Sequence, residues 1–302
     1  MDRVIGDFIS EERGPLIIFV GGIHGNEHAG VKAINHVFDI LKEEKIPFTG
    51  RIVGLKGNLK ALKENIRYYD YDMNRCWTEE FIADLKNEKV KEGGNIEGYE
   101  AVALLKEIER VSEGNYTRKI LIDLHTTSSD NGNFIVIPED EADNHIVKVL
   151  KLPIVIDLDK YLEGTLLEFM HHRNYLGFAF EGGLIGTQKA LNLHISGIWE
   201  LLYAADSVKH QHSQKFSNYD NITKHFTKGL PHLVSVLYRH WVDEKDAFKM
   251  MPGYHNFQRI KSGELLAHDK NGSIEAKCNG LIFMPLYQDS GNDGFFVVQE
   301  VN

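Results

Sequence analysis

The run Leu16-Ile17-Ile18-Phe19-Val20 is apolar at every position and bounded by turn residues. Such a run, lacking the alternation of a half-exposed strand, predicts a parallel strand covered on both faces. Val31, Ile34, Val37, Phe38 and Leu41 then recur at helical spacing, so a helix is expected from near His28. Arg51 to Asn58 reads as another strand and turn, followed by a short helix through Leu62. Lys91 to Gly98, rich in Gly, Lys and Glu, reads as an exposed loop, and Ala101 to Val111 as a helix with Val102, Leu105 and Ile108 in phase. Lys119-Ile-Leu-Ile-Asp-Leu-His125 is the second clear buried strand, and it ends on a histidine. Further strands are expected at Asn133 to Pro138, Pro153 to Asp157 and Leu176 to Phe180, with helical patterns around 141–151 and 164–174. A long amphipathic pattern runs from Thr187 to about Val208. This alternation predicts an α/β fold: a mostly parallel or mixed sheet with helices on both faces.

Beyond residue 208 the texture changes. Residues 209–232 are polar and His/Lys/Asn-rich, which suits a connector. After them come short β-like runs at Leu233 to Leu237, Leu265-Leu266, Leu281 to Met284 and Phe295 to Val298, separated by Gly263, Asn271-Gly272, Asn279-Gly280 and Gly291 to Gly294. These are hairpin signals at close spacing. Three segments result: a catalytic unit over 1–208, a connector over 209–232, and a small antiparallel β domain over 233–302 that caps the cleft.

Composition narrows the partners. The 302 residues include 34 basic and 44 acidic side chains, a net charge of -10, which disfavours nucleic acid. No apolar stretch approaches the roughly 20 residues of a membrane span, and Asp2, Arg3, Asp7, Glu11 and Glu12 stand where a signal peptide would be apolar. A cytoplasmic protein without a membrane partner is expected. Cys76 and Cys278 form no CxxC pair, so neither a disulfide framework nor a thiolate metal site is suggested. A small or peptide-like substrate is the default. Assembly into a homo-oligomer is neither required nor excluded.

The chemistry concentrates at Gly21-Gly22-Ile23-His24-Gly25-Asn26-Glu27, a glycine-rich turn directly after the first strand. Glycines there give up side-chain burial so that the backbone can bend, and two metal-ligand side chains stand three residues apart at its tip. Joined by His125 at the end of another strand, His24 and Glu27 would supply two imidazoles and one carboxylate, a set that suits one Zn²⁺ and leaves a fourth position for water. Zinc can bring the pKa of water from about 15.7 to about 7. That is on the order of 12 kcal/mol of ionisation free energy. Glu181, in Phe180-Glu181-Gly182-Gly183, also follows an apolar strand and is the candidate proton carrier. In such sheets ligands gather beyond the carboxyl ends of strands, so one crevice would hold His24, His125 and Glu181. An alternative HxxEH scheme pairs His24 with His28, but it needs both on one helical face, and Gly25-Asn26 is poor mid-helix sequence.

His24-Gly-Asn-Glu27, Asp72-Met-Asn74-Arg75, Asp123-Leu-His125 and Glu181-Gly-Gly, in this order, resemble the succinylglutamate desuccinylase/aspartoacylase family, relatives of the zinc carboxypeptidases. The motifs cover most of residues 16–185, and the β-like tail resembles that family's C-terminal domain. The resemblance implies a zinc carboxypeptidase-like fold, with zinc on His24, Glu27 and His125. It also implies that Asn74 and Arg75 bind a substrate carboxylate and that Glu181 transfers the proton. Arg75 has the planar donor fork that matches a carboxylate. Arg67 is a candidate for stabilising the scissile carbonyl's oxyanion, where losing a preorganised donor can cost about 2.7 to 4 kcal/mol. Asp123, two residues before His125, lies on the same side of a regular strand and would either orient that imidazole or cap a turn. Asn58 is as suited to a turn as to the site. Tyr287, in Met284-Pro-Leu-Tyr287, is the tail residue matched to the substrate, and Arg173 departs in its offset from the extra substrate-binding arginine of aspartoacylases.

The reading is a zinc-dependent amidohydrolase that acts on an N-acyl amino acid or a similar small carboxylate-bearing amide. A metallocarboxypeptidase acting on short peptides is the close variant, and a non-catalytic zinc protein that binds an acidic metabolite is the alternative of another class.

Overall fold

The computed structural model describes residues 2–87, 95–128, 132–288 and 291–301. The chain opens with β1 (Val4–Ile9), β2 (Leu16–Gly21), α1 (His28–Glu43), β3 (Arg51–Lys56), α2 (Leu59–Glu64), α3 (Glu79–Lys86) and α4 (Ile96–Val111). It continues through β4 (Lys119–Thr127), β5 (Asn133–Val136), α5 (His145–Lys148), β6 (Ile154–Ile156), α6 (Leu166–His171), β7 (Leu176–Leu184) and α7 (Gln188–Ala204). Two helices, α8 (His210–Phe216) and α9 (Tyr219–Phe226), lead to β8 (Leu233–Trp241), β9 (Lys249–Met250), β10 (Gln258–Ile260), β11 (Leu265–Asp269), β12 (Gly272–Glu275), β13 (Gly280–Phe283) and β14 (Asp293–Glu300).

Eleven of these strands form one sheet in the order β1-β3-β2-β4-β7-β5-β6-β8-β14-β13-β10, and β12-β11-β9 form a second. The inner pairs β3–β2, β2–β4 and β4–β7 are parallel, whereas β5 runs antiparallel to β7 and β1 to β3, so the sheet is mixed. Side chains along β2 alternate between two cores, as the two-residue period of a strand requires. Ile17 and Phe19 pack with α1 and α7 residues such as Val37 and Trp199. Leu16, Ile18 and Val20 pack with Leu104 and Ile108 of α4 and with Phe169 of α6. β2 is apolar throughout, and β4 carries His125, Thr126 and Thr127 at its carboxyl end, with the buried Asp123 two residues before His125.

Several segments carry more structure than their pattern announces. The polar stretch read as a connector contains α8 and α9, which rest on α7: Trp199 stacks on Phe216 at 5.2 Å, and Tyr219 is buried in the same core. Three apolar contacts per two turns suffice to seat a short helix, and the surrounding His, Lys and Asn hid them. The tail strands prolong the main sheet, because Ile154–Ile156 of β6 pair in parallel with Leu233–Ser235 of β8. In the Gly-rich stretch expected as a loop, residues 91–94 lie outside the described ones, but Ile96, Glu97 and Gly98 already belong to α4, and Glu97 is fully buried. The edge strand β1 had no alternating apolar signal to announce it, since Gly6 and Asp7 interrupt it. No helix among the described residues is long and apolar enough to cross a membrane.

Candidate active site

At the end of β2 the backbone turns with Gly22 at φ +76°, a region that favours glycine. Gly25 N–H then donates to the Arg67 carbonyl at 3.1 Å and Glu27 N–H to the His24 carbonyl at 3.1 Å. A Cβ on Gly25 would lie 2.1 Å from the Ala61 carbonyl carbon, so only glycine lets the turn pack against α2. The turn therefore projects His24 and Glu27 over the sheet edge, and α1 begins at His28 immediately behind them. His28 faces Asn65 at 2.8 Å instead, which leaves the HxxEH pairing without its second histidine.

His24, Glu27 and His125 each present a ligand atom within 4.8 Å of the others, and all three are buried. His24 Nδ1 lies 2.8 Å from Glu27 Oε1, and His125 Nδ1 lies 3.3 Å from Glu27 Oε2. Each imidazole is fixed from behind. His24 Nε2 meets Asp72 Oδ1 at 3.0 Å and His125 Nε2 meets Asp123 Oδ2 at 2.7 Å. With each Nε2 held by an aspartate, both Nδ1 atoms face Glu27 oxygens, so two nitrogens and a carboxylate converge where a cation can take the place of the shared protons. The donor set thus fits a zinc ion, with two nitrogens, one carboxylate and an aspartate fixing each ring. Burial acts to raise the Glu27 carboxyl, but the charges and hydrogen bonds of His24 and His125 hold it well below the usual range. Burial likewise opposes charge on His125, and Asp123 outweighs it, raising that imidazole well above its usual value.

Glu181 arrives through strand register. On β7 it lies directly opposite His125 of β4, so both side chains leave the same face side by side. Burial pushes its carboxyl up to about 8, with Glu27 and Asp123 adding to the rise and His125 opposing it. Its Oε2 is buried without a hydrogen-bond partner. Behind it, fully buried His194 of α7 lies 3.1 Å from the Phe180 carbonyl and blocks any side chain at Gly182, where a Cβ would sit 2.4 Å from its Nε2. No spacing signal marked His194, because it belongs to a helix whose apolar pattern simply accommodates it.

The loop before α3 brings the cations. Arg67 Nη1 lies 3.3 Å from Glu27 and Nη2 3.2 Å from Asp72, while its Nε is buried without a partner. Burial opposes its charge, and Asp72 and Glu27 more than restore it. Glu97 of α4 holds this loop from inside, accepting from Tyr69 N–H at 2.8 Å, Asp70 N–H at 2.9 Å and Asn58 Nδ2 at 3.0 Å. Asn58 itself caps α2 through Ala61 N–H, a turn role, with a link to the loop through Glu97. Asn74 Oδ1 accepts from Leu166 N–H at 2.8 Å. Arg75 reaches across to the tail, Nη2 to Asp293 Oδ2 at 2.7 Å.

His24, Glu27, Arg67, Asn74, Arg75, His125 and Glu181 all line one cavity of about 790 Å³. Its outer walls are largely apolar, with Val136, Ile137, Leu158 and Leu162 from the sheet unit and Met284 and Leu286 from the tail. Tyr287 departs from expectation: Leu286 and Gln288 face the cavity, while the Tyr287 hydroxyl lies 2.7 Å from the Met251 carbonyl and 2.9 Å from Tyr254 N on the other side. Arg173 is also away from the cavity, paired with Glu79 at 2.6 Å and stacked on Phe169. The tail's contribution that sequence reading missed is Asp293.

Residues 13–192 match the catalytic-domain pattern of the succinylglutamate desuccinylase/aspartoacylase family. A protein of Acaryochloris marina named "probable aspartoacylase" is 33% identical over 175 residues, covering 56% of this chain and 55% of that one. An N-acyl-aromatic-L-amino acid amidohydrolase (carboxylate-forming) of Xenopus tropicalis is 28% identical over 141 residues, 46% of this chain and 43% of that one. The matched region spans about half the length of these curated relatives. In fold, the chain is similar to the crystal structure of the succinylglutamate desuccinylase from Chromobacterium violaceum, with a TM-score of 0.66 at 19% identity over 96% of this chain and 86% of that one. With the pattern matched across more than half its length and the motif residues gathered in one cavity, the chain belongs to the succinylglutamate desuccinylase/aspartoacylase family.

Proposed function

We propose that the protein is a zinc-dependent deacylase that hydrolyses the amide bond of an N-acyl amino acid, releasing a carboxylic acid and the amino acid. The carrying observation is Glu181: a buried carboxyl with a free Oε2, raised to about 8, beside a cluster built to hold a cation. A purely ligand-binding protein has no evident use for such a group. Zinc on His24, Glu27 and His125 would act as a Lewis acid on the acyl carbonyl and acidify a water. Glu181, ionised once a cation on the neighbouring cluster offsets the charge of Glu27 and Asp123, takes the attacking water's proton on Oε2 and passes it to the amide nitrogen as the C–N bond breaks. Arg67, whose Nη1 lies 3.3 Å from Glu27, is the donor for charge that develops on the carbonyl oxygen. Asn74 and Arg75 bind the carboxylate of the amino acid portion, and cavity walls supplied by both the sheet unit and the tail favour a small amide over a long peptide.

Glu181→Gln should lower kcat by about 10² to 10⁴, the range of general acid–base catalysis, with zinc content unchanged. Chelation should abolish turnover, and zinc should restore it. Full turnover in the Gln variant, or in metal-stripped protein, would refute the mechanism.

A further inference from the structure

Arg75 is not waiting empty for a ligand. Its Nη2 donates to Asp293 Oδ2 at 2.7 Å and its Nη1 to the Asn74 carbonyl at 2.8 Å. The other oxygen of Asp293 accepts from Arg239 Nε at 2.6 Å, and Arg239 is anchored by Nη1 on the Tyr161 carbonyl at 2.6 Å. One carboxylate thus bridges two guanidinium groups, leaving the trio with one positive charge. Arg75 and Asp293 both line the cavity, and among the described lining residues the other arginine, Arg67, is committed to Glu27 and Asp72.

We propose that Asp293 is a built-in stand-in for the substrate carboxylate: it occupies Arg75 in the free protein and retires onto Arg239 when a carboxylate-bearing ligand takes its place. The inference rests on the reading of Arg75 as the carboxylate anchor and adds the residue that sets how strongly an acid is preferred. Two carboxylates crowded on one guanidinium repel each other, so a ligand and Asp293 do not share Arg75 cheaply. Arg239 makes the exchange feasible, since Asp293 keeps a charged partner and never stands bare in a partly buried site. The resident contact lowers the apparent affinity for acids by the free energy needed to break it. In return, Arg75 is never left unpaired when the cavity is empty.

The test reads binding without turnover, in zinc-loaded protein carrying Glu181→Gln, by calorimetric titration with N-acetyl-L-leucine and with its carboxamide. Adding Asp293→Asn should raise the acid-over-amide affinity ratio at least fivefold, through tighter binding of the acid, and Asp293→Glu should restore the original ratio. Arg239→Gln should move the ratio the opposite way, because Asp293 then has nowhere to retire, so the inference stays testable even if one variant folds poorly. An unchanged or lowered ratio in Asp293→Asn, or no binding of the acid in any background, overturns it. Turnover is scored separately in protein with Glu181 intact. Hydrolysis with an unmoved ratio removes only the exchange, and the exchange without hydrolysis removes only the deacylase.

Discussion

His194 shows how much one buried side chain fixes. Burial pushes its imidazole down to about 4 from an ordinary 6.5, so it is neutral in the folded protein. The unfolded chain takes up a proton there below 6.5, whereas the folded one does so only below about 4. Stability from this site is therefore complete above 6.5 and falls as the pH drops from 6.5 to about 4. That interval corresponds to about 3 kcal/mol at about 1.36 kcal/mol per unit. In metal-free protein the raised Glu181 and His125 favour the folded state as the pH falls, so the loss is read as the difference between wild type and His194→Gln in denaturant melts from pH 7.5 to 4.5; parallel curves would refute the assignment. Residues of this kind were illegible in the sequence. His24 and Glu27 stood out because they are three residues apart in a glycine turn, and Asp72 stood in the Asp72-Met-Asn74-Arg75 motif without its contact to His24 being signalled, whereas His194 and Asp293 meet the site from remote segments with no local pattern.

Among the elements, the strands that carry the site could be read directly, since β2, β4 and β7 are buried on both faces and announce themselves as apolar runs. The loop that carries Asp72, Asn74 and Arg75 could not, because its conformation is set by the Glu97 side chain at the start of α4. A buried carboxylate accepting three donors is strong, at about 1.5 to 3 kcal/mol per charge-assisted bond. Glu97→Gln loses the charge and turns an amide N–H₂ toward one of those donors. It should cost about 2 to 4 kcal/mol of stability. It should also raise KM for N-acyl amino acids, because Arg75 lies on the loosened loop. Urea unfolding and steady-state kinetics give both readouts, and an unchanged unfolding midpoint would show that the loop is held by something else.

At the scale of the whole molecule, the tail turns an open sheet edge into a chamber. The hairpin signals in the sequence located β8, β11, β13 and β14 but not β9, β10 and β12, nor that β8 extends the main sheet, because pairing between β6 and β8 joins segments with no shared pattern. The chamber's walls then bear on which amide is chosen. Its buried end holds the His24, Glu27 and His125 cluster, and Arg75 is already matched by Asp293. Farther out, the described lining includes Glu139, Asp140, Asp159 and Glu168 beside the apolar surface of Leu158, Leu162, Met284 and Leu286. A second carboxylate on the substrate would meet those acids, whereas an apolar group would bury area against the leucines at about 25 cal/mol per Å². Burying about 60 Å² would already give about 1.5 kcal/mol, or roughly tenfold in kcat/KM. N-acetyl-leucine and N-acetyl-phenylalanine should therefore be hydrolysed with kcat/KM at least tenfold above N-acetylaspartate and N-succinylglutamate. Leu162→Asp should narrow that gap by removing apolar wall. If the dicarboxylates are the better substrates, the basic side chains on the same lining, His171, His172 and Arg75, outweigh its acids, and the apolar wall does not set the preference.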